Sequence, residues 1–157
     1  MGVRKVALAG VIAGAYIAVT LLFAPLSYGM VQIRISEALT LLPFLFPEAI
    51  PGLFAGCLLA NFAGGFGLPD VIFGSAATLA AAVLTARMPT VFLAALPPVL
   101  INMVVVGGYL SVLLEVPLLL SMLYVGAGES VACFLLGIPL VLMLQRRMKK
   151  GGKFPAR

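Results

Sequence analysis

Apolar runs long enough to cross a bilayer recur from one end of this chain to the other, and they constrain its fold more than any other feature. A hydrocarbon core of roughly 30 Å needs about 20 mainly apolar residues per helix. Residues 6–26 make the first such run. Lipid offers the backbone no hydrogen-bond partners, so a run of this kind must satisfy its own N–H and C=O groups as a helix. The rest of the composition agrees, with 63% of the 157 residues hydrophobic and a mean hydropathy of +1.22. A soluble domain of this size has no core large enough to hide so much apolar surface. The sequence therefore specifies an all-α integral membrane protein.

Prolines and glycines at 25–29, 43–52, 64–69, 89, 97–98 and 117 divide the apolar sequence. They act as loops or helix ends. Six spans follow, at about 5–25, 35–47, 51–66, 70–87, 90–113 and 117–146. The second reaches only about 20 Å at helical rise, which marks it as tilted, broken or re-entrant. The first run exceeds the 7–15 apolar residues of a signal peptide and is read as a retained span. Residues 1–147 form one transmembrane domain, and 148–157 a basic tail.

The ten Lys and Arg residues orient the bundle. Arg4 and Lys5 flank the first span; Arg146, Arg147, Lys149, Lys150, Lys153 and Arg157 follow the last. The positive-inside rule places both termini in the cytoplasm, and an even number of spans satisfies it. Arg87 then also falls inside, leaving Arg34 as the one basic residue outside. The tail is read as a flank touching anionic lipid, with no nucleic-acid partner. No repeat of a whole helical unit is visible, so an inverted-repeat design lacks support.

Several function classes drop out. The chain contains no His, which removes the usual catalytic triads and HExxH zinc sites. No paired aspartates or activated nucleophile is recognisable, so an enzyme is not expected. Cys57 and Cys133 form no CxxC motif and read as buried free thiols. Neither a cofactor nor a metal is expected.

Polar residues inside apolar spans need a reason, since a charged side chain at mid-membrane costs about 2.5–3.5 kcal/mol on insertion scales. Glu129 lies well within the last span, on one face with Gly126, Cys133 and Gly137, where small neighbours leave room for a ligand. The competing role is a carboxyl that locks two helices together. Asn61 and Asn102, with Tyr109 seven residues further along the same face, are either ligand contacts or interhelical hydrogen-bonding groups. Asp70, after Pro69, suits a helix N-terminus. Glu48 reads as a helix-start charge on the cytoplasmic side and Glu115 as a loop residue. Arg34 and Glu37 stand where the first external loop enters the second span. A separation of three lets them face one another on a helix, at a pocket mouth.

The first span also carries small residues four apart: Ala9 with Ala13, Gly10 with Gly14, and Gly14 with Ala18. In lipid such faces let helix backbones approach closely. The motif serves internal packing and partner docking equally well.

The stretch "VQIRISEALTLLPFLFPEAIPGLFAGCLLANFAGG", followed by "LPDVIFGSAATLAAA", resembles the QueT family, substrate-binding S components of energy-coupling factor (ECF) transporters associated with queuosine-precursor uptake. The likeness covers nearly all of the chain. It implies a compact six-helix protein of the bacterial cytoplasmic membrane that binds its substrate near the outer face, under a lid formed by the loop between the first two helices. It implies partners too: the coupling protein EcfT and two ABC-type ATPases, which supply the ATP hydrolysis that drives uptake. The sequence has no GxxxxGK[ST] loop, in keeping with that division of labour. An AxxxA-type face of the first helix meets the coupling protein in that family; Ala9 and Ala13 match it, with Gly10 and Gly14 beside them.

The implied cargo is a 7-deazaguanine base: queuine, or a 7-cyano or 7-aminomethyl relative. A guanine-like edge presents two adjacent N–H donors, which a carboxylate accepts as a pair, while an amide or Arg donates to the 6-oxo group. Glu37, Glu129, Asn61, Asn102, Arg34, Tyr109 and Asp70 are the candidate substrate-binding residues, Glu37 and Glu129 foremost. Tyr28 is a candidate lid residue. The alternatives are an S component for another vitamin-like cargo and a small proton-coupled transporter that uses Glu129.

Overall fold

The computed structural model describes residues 2–29, 32–64 and 66–151. Within them the chain is helical, with no strand. The expected basic residues Lys153 and Arg157 lie outside the described residues, as does the rest of the tail from 152 onward.

The first helix, α1 (Val3–Leu22), is followed by the single turn α2 (Ala24–Ser27), whose Pro25 sits where a missing N–H does no harm. The next segment, Ile35–Phe44, is a 3-10 helix with Pro43 inside it. Its ten residues span about 20 Å at the steeper 3-10 rise, so the segment expected to be short and irregular is short for this reason. Helix α3 runs Ala49–Gly64. A π-helical stretch, Asp70–Gly74, leads into α4 (Ser75–Thr85). The short α5 (Val91–Ala94) begins at Thr90, whose hydroxyl accepts from the Leu93 N–H, and is followed by α6 (Leu96–Leu113). Finally α7 (Leu118–Ser130), a second π-helical stretch (Val131–Gly137) and α8 (Ile138–Lys150) form one continuous helix.

Each of the six apolar segments read from the sequence is thus helical. Val3–Leu22, Val91–Leu113 and Leu118–Lys150 are long and apolar enough to cross a membrane; Ile35–Phe44, Ala49–Gly64 and Asp70–Thr85 are apolar but shorter. The 33 residues of Leu118–Lys150 extend about 50 Å, well beyond a hydrocarbon core. The excess is the basic end of α8.

The surface and interior are those of a protein solvated by lipid. Large apolar side chains point outward, among them Val11, Leu22, Phe62, Val104, Leu119 and Leu135, while Glu37, Asp70, Glu129, Arg34, Asn61 and Asn102 are buried. Three apolar clusters surround these polar residues. One joins Ile12 and Tyr16 to Leu53 and Cys57, a second joins Leu41 to Val99 and Val141, and a third joins Ala77 to Leu110 and Val125. Helix α1 packs chiefly on α3, and α6 on α7.

The α1–α3 contact is a backbone approach. A Cβ at Gly56 would lie 3.0 Å from the Ala13 carbonyl oxygen, and one at Gly52 would run into the backbone of Ala9. Of the small residues expected at a partner interface, Ala9 and Ala13 therefore border α3 of the same chain. Gly10 and Gly14 face outward with open space around them.

Candidate functional site

Packing gathers polar residues from the second half of α1, the start of the 3-10 segment, the end of α3, the start of the Asp70–Gly74 stretch, α6 and the end of α7. Three of the five acidic residues are buried there, Glu37, Asp70 and Glu129. Arg34 is the buried base among the described residues.

Arg34 occupies the extended residue just before the 3-10 segment. Its guanidinium donates to Asn61 Oδ1 at 2.8 Å and stands 3.8 Å from Asp70 Oδ2. The i,i+3 pairing with Glu37 suggested by the sequence gives way to these partners, because Arg34 precedes the helical turn. Asn61 donates in turn to the Asp70 carbonyl oxygen at 2.9 Å, and the Tyr109 hydroxyl donates to Asp70 Oδ1 at 2.5 Å. Asp70, read from sequence as a helix-start charge, does begin a helical stretch, but its main-chain carbonyl also holds α3 through Asn61 while its buried carboxylate holds α6 through Tyr109 and stands beside Arg34. Gly74 makes room for this knot: a Cβ there would lie 2.8 Å from Asn61 Nδ2 and 2.9 Å from Asp70 Oδ1. The ring of Tyr28 covers the guanidinium, with Arg34 Cζ 5.5 Å from its centroid, and its hydroxyl donates to the Ala60 carbonyl at 2.7 Å.

Glu37 accepts from the Tyr16 hydroxyl. One turn along α1, Thr20 shares a 2.6 Å hydrogen bond with Ser36, so Tyr16 and Thr20 hold the start of the 3-10 segment from one helix face. On the other side Asn102 donates to Glu129 Oε1 at 2.9 Å. Cys133 lies between the two carboxylate residues, its sulfur 3.8 Å from the Glu37 carbonyl oxygen and 3.9 Å from Glu129 Oε2. The two π-helical stretches begin at Asp70 and just after Glu129, where a widened turn re-aims side chains, a feature common at functional sites.

The seven candidate binding residues thus fall in two groups, Arg34, Asn61, Asp70 and Tyr109 in one and Glu37, Asn102 and Glu129 in the other, joined where the Glu37 N–H donates to the Arg34 carbonyl at 2.9 Å, and the network they make is incomplete. Glu37 Oε2, Asp70 Oδ2, Asn102 Oδ1, Arg34 Nε and Gln32 Nε2 are buried with no hydrogen-bond partner. Each such atom costs about 1–3 kcal/mol, so five together rival the 5–15 kcal/mol net stability of a typical domain. Three acceptors and two donors await complementary groups. A cleft of about 250 Å³ bounded by Asn61, Phe62, Gly67, Leu68 and Val71 opens beside Asn61. A larger hollow of about 650 Å³, along Pro139, Leu142, Met143 and the basic end of α8, shares no residue with the network. No grouping of three His, Cys, Asp or Glu side chains suited to a metal occurs among the described residues.

Sequence reasoning missed Tyr16, Thr20, Ser36 and Gln32. The first two had a readable signal, since a Tyr and a Thr four apart on a span of small residues mark a polar stripe. Ser36 was visible only as a neighbour of Glu37, and Gln32 gives no signal without its surroundings.

The helical fold of the described residues, the apolar surface and three helices long enough to cross a bilayer define a multi-pass membrane protein. The chain belongs to the QueT transporter family, whose family model, described as QueT transporter, matches residues 6–146. No curated protein and no solved structure matches it.

Proposed function

We propose that this protein is the substrate-specific S component of an ECF-type importer and that it binds a queuosine precursor, a 7-deazaguanine base, at the outer face. The observation that carries the reading is the set of five unpartnered buried polar atoms within a membrane bundle of a transporter family. Their chemistry fits such a base. Glu37 Oε2, Asp70 Oδ2 and Asn102 Oδ1 accept from ring and amino N–H groups, and Arg34 Nε donates to an oxo group. In this reading Asn61 and Tyr109 hold Arg34 and Asp70 in place, Glu129 orients Asn102, and Tyr28 covers the site.

All six helical segments are embedded with both termini cytoplasmic, an arrangement favoured by Arg4, Lys5 and the basic end of α8. The chain carries the cargo site, and uptake is driven by ATP hydrolysed on two ABC-type partners joined through an EcfT-type coupling protein. Gly10 and Gly14, bordered by Ala9 and Ala13, form the docking face.

The test is mass spectrometry of small molecules retained by the purified protein, followed by calorimetric titration with deazaguanine bases and common vitamins. Binding of a 7-deazaguanine in preference to every vitamin supports the cargo. Tight binding of a vitamin with no response to the bases replaces it with another vitamin-like cargo. The buried carboxyl of Glu129 favours a second reading, proton-coupled transport. Uptake that needs no ATPase partner and collapses with the proton gradient would establish that reading instead.

A further inference from the structure

We infer that Gln32 is a specificity-determining residue, whose side-chain amide donates to the 6-oxo group of the bound base and discriminates it from a 6-amino base. The inference rests on the cargo reading above and adds a residue that reading leaves unassigned.

Four observations converge on Gln32. It is 5% exposed although it lies in a connecting segment rather than a helix. Its Nε2 is buried without a partner, whereas amides in connecting segments ordinarily reach water. Its φ of 45° is left-handed, a conformation that costs a residue with a Cβ and persists where surrounding structure enforces it, often at functional sites. Backbone hydrogen bonds fix the turn, with Gln32 N–H donating to the Gly29 carbonyl at 3.1 Å and Arg34 N–H donating to the Gln32 carbonyl at 3.0 Å.

The burial pattern supplies the direction. Gln32 and Arg34 are buried while Ile33 between them is half-buried, so both polar side chains turn away from the surface. The amide of Gln32 is thereby placed on the inward side with Arg34, and Gln32 Nε2 and Arg34 Nε are the two unpartnered donors of the network. The three unpartnered acceptors come from the 3-10 segment, the Asp70–Gly74 stretch and α6. Donors from one segment and acceptors from others suit a planar ligand with an acceptor edge and a donor edge. A 6-oxo-2-amino base has that polarity. Its 2,6-diamino counterpart presents donors on both edges and leaves Gln32 Nε2 facing another N–H.

The experiment titrates the detergent-purified full chain and its variants with 7-aminomethyl-7-deazaguanine and with the 2,6-diamino counterpart, and records the melting temperature without ligand. The unmodified protein binds the oxo base and rejects the diamino base. Gln32→Ala loses roughly tenfold or more in affinity for the oxo base, with little change for the other, so the preference narrows. Gln32→Glu, which can only accept, narrows or inverts it. Gln32→Gly relieves the left-handed backbone, so it melts higher while showing the same loss as Ala.

An unchanged preference in Gln32→Ala overturns the proposal. So does an equal loss on both bases, which assigns Gln32 a structural role, or a preference retained in Gln32→Gly, which assigns the effect to the turn. If the unmodified protein binds neither base, the cargo reading falls and this inference with it. If it binds and the Ala variant discriminates equally well, only the role of Gln32 falls.

Discussion

The buried side chains divide into those that complete one another and those that wait. Glu129 is of the first kind, since Asn102 fills one oxygen and Cys133 approaches the other. Exchanging it for Gln trades one of its two acceptor oxygens for an amide donor and loosens its hold on Asn102, whose own Oδ1 is unpartnered. Glu129→Gln is therefore expected to weaken ligand binding at least tenfold with the melting temperature shifted by only a few degrees, as measured by calorimetric titration and thermal unfolding. Unchanged affinity would leave Glu129 as a helix-locking group, the competing role its burial allows. Glu48, beyond the apolar segments, behaves differently. It meets Lys5 at 2.8 Å, and the hydrogen bond from Lys5 holds its carboxyl below the usual carboxylate range. A carboxyl lowered on folding stabilises the fold above its ordinary pKa, and that contribution fades as pH falls through the lowered value. Both groups are solvated, so Glu48→Gln should cost less than about 1 kcal/mol at neutral pH, and less again in high salt, in unfolding curves.

At the scale of elements, stability comes from close backbone approach. The α1–α3 pair has no room at Gly56, where even a methyl group presses on the α1 backbone at Ala13. Gly56→Leu should separate the two helices and destabilise the protein by several kcal/mol, and by moving Tyr16 relative to Glu37 it should also abolish ligand binding. A stable, binding-competent Gly56→Leu protein in thermal and titration assays would mean that this contact is dispensable. These elements were legible in the sequence to different degrees. The six apolar segments were, because Pro and Gly punctuation and run length are local properties. The 3-10 character of Ile35–Phe44 was visible only as a segment too short to span. The partners of Arg34 were not visible, because Asn61 and Asp70 are distant in sequence and reach it through the packing of α3 against the Asp70–Gly74 stretch. The small-residue face was read as a whole, yet its two halves differ. Ala9 and Ala13 are spent on α3, while Gly10, Gly14 and Ala18 remain exposed. Spacing alone cannot separate them, since residues one apart on a helix lie about 100° around its axis.

For the whole molecule, the question is how a binding protein this small takes part in transport. Of the long helices α1 is the least covered by the rest of the chain: 17% of its apolar window is buried, against 50% for Val91–Leu113 and 39% for Leu118–Lys150. Lipid covers such a surface without preference, but the bare backbone at Gly10 and Gly14 offers a second helix a close approach that larger residues would deny. The face lies away from α3 and touches no member of the polar network, so under the proposed function cargo binding and partner docking are separable. Gly10→Trp combined with Gly14→Trp should accordingly abolish copurification with the coupling protein and stop ATP-dependent uptake in reconstituted vesicles, while ligand affinity stays within about twofold. Loss of both properties together would mean that α1 transmits its packing to Tyr16 and Glu37, making docking and binding one coupled event. Retained copurification would move the partner to another face and leave the glycines to lipid.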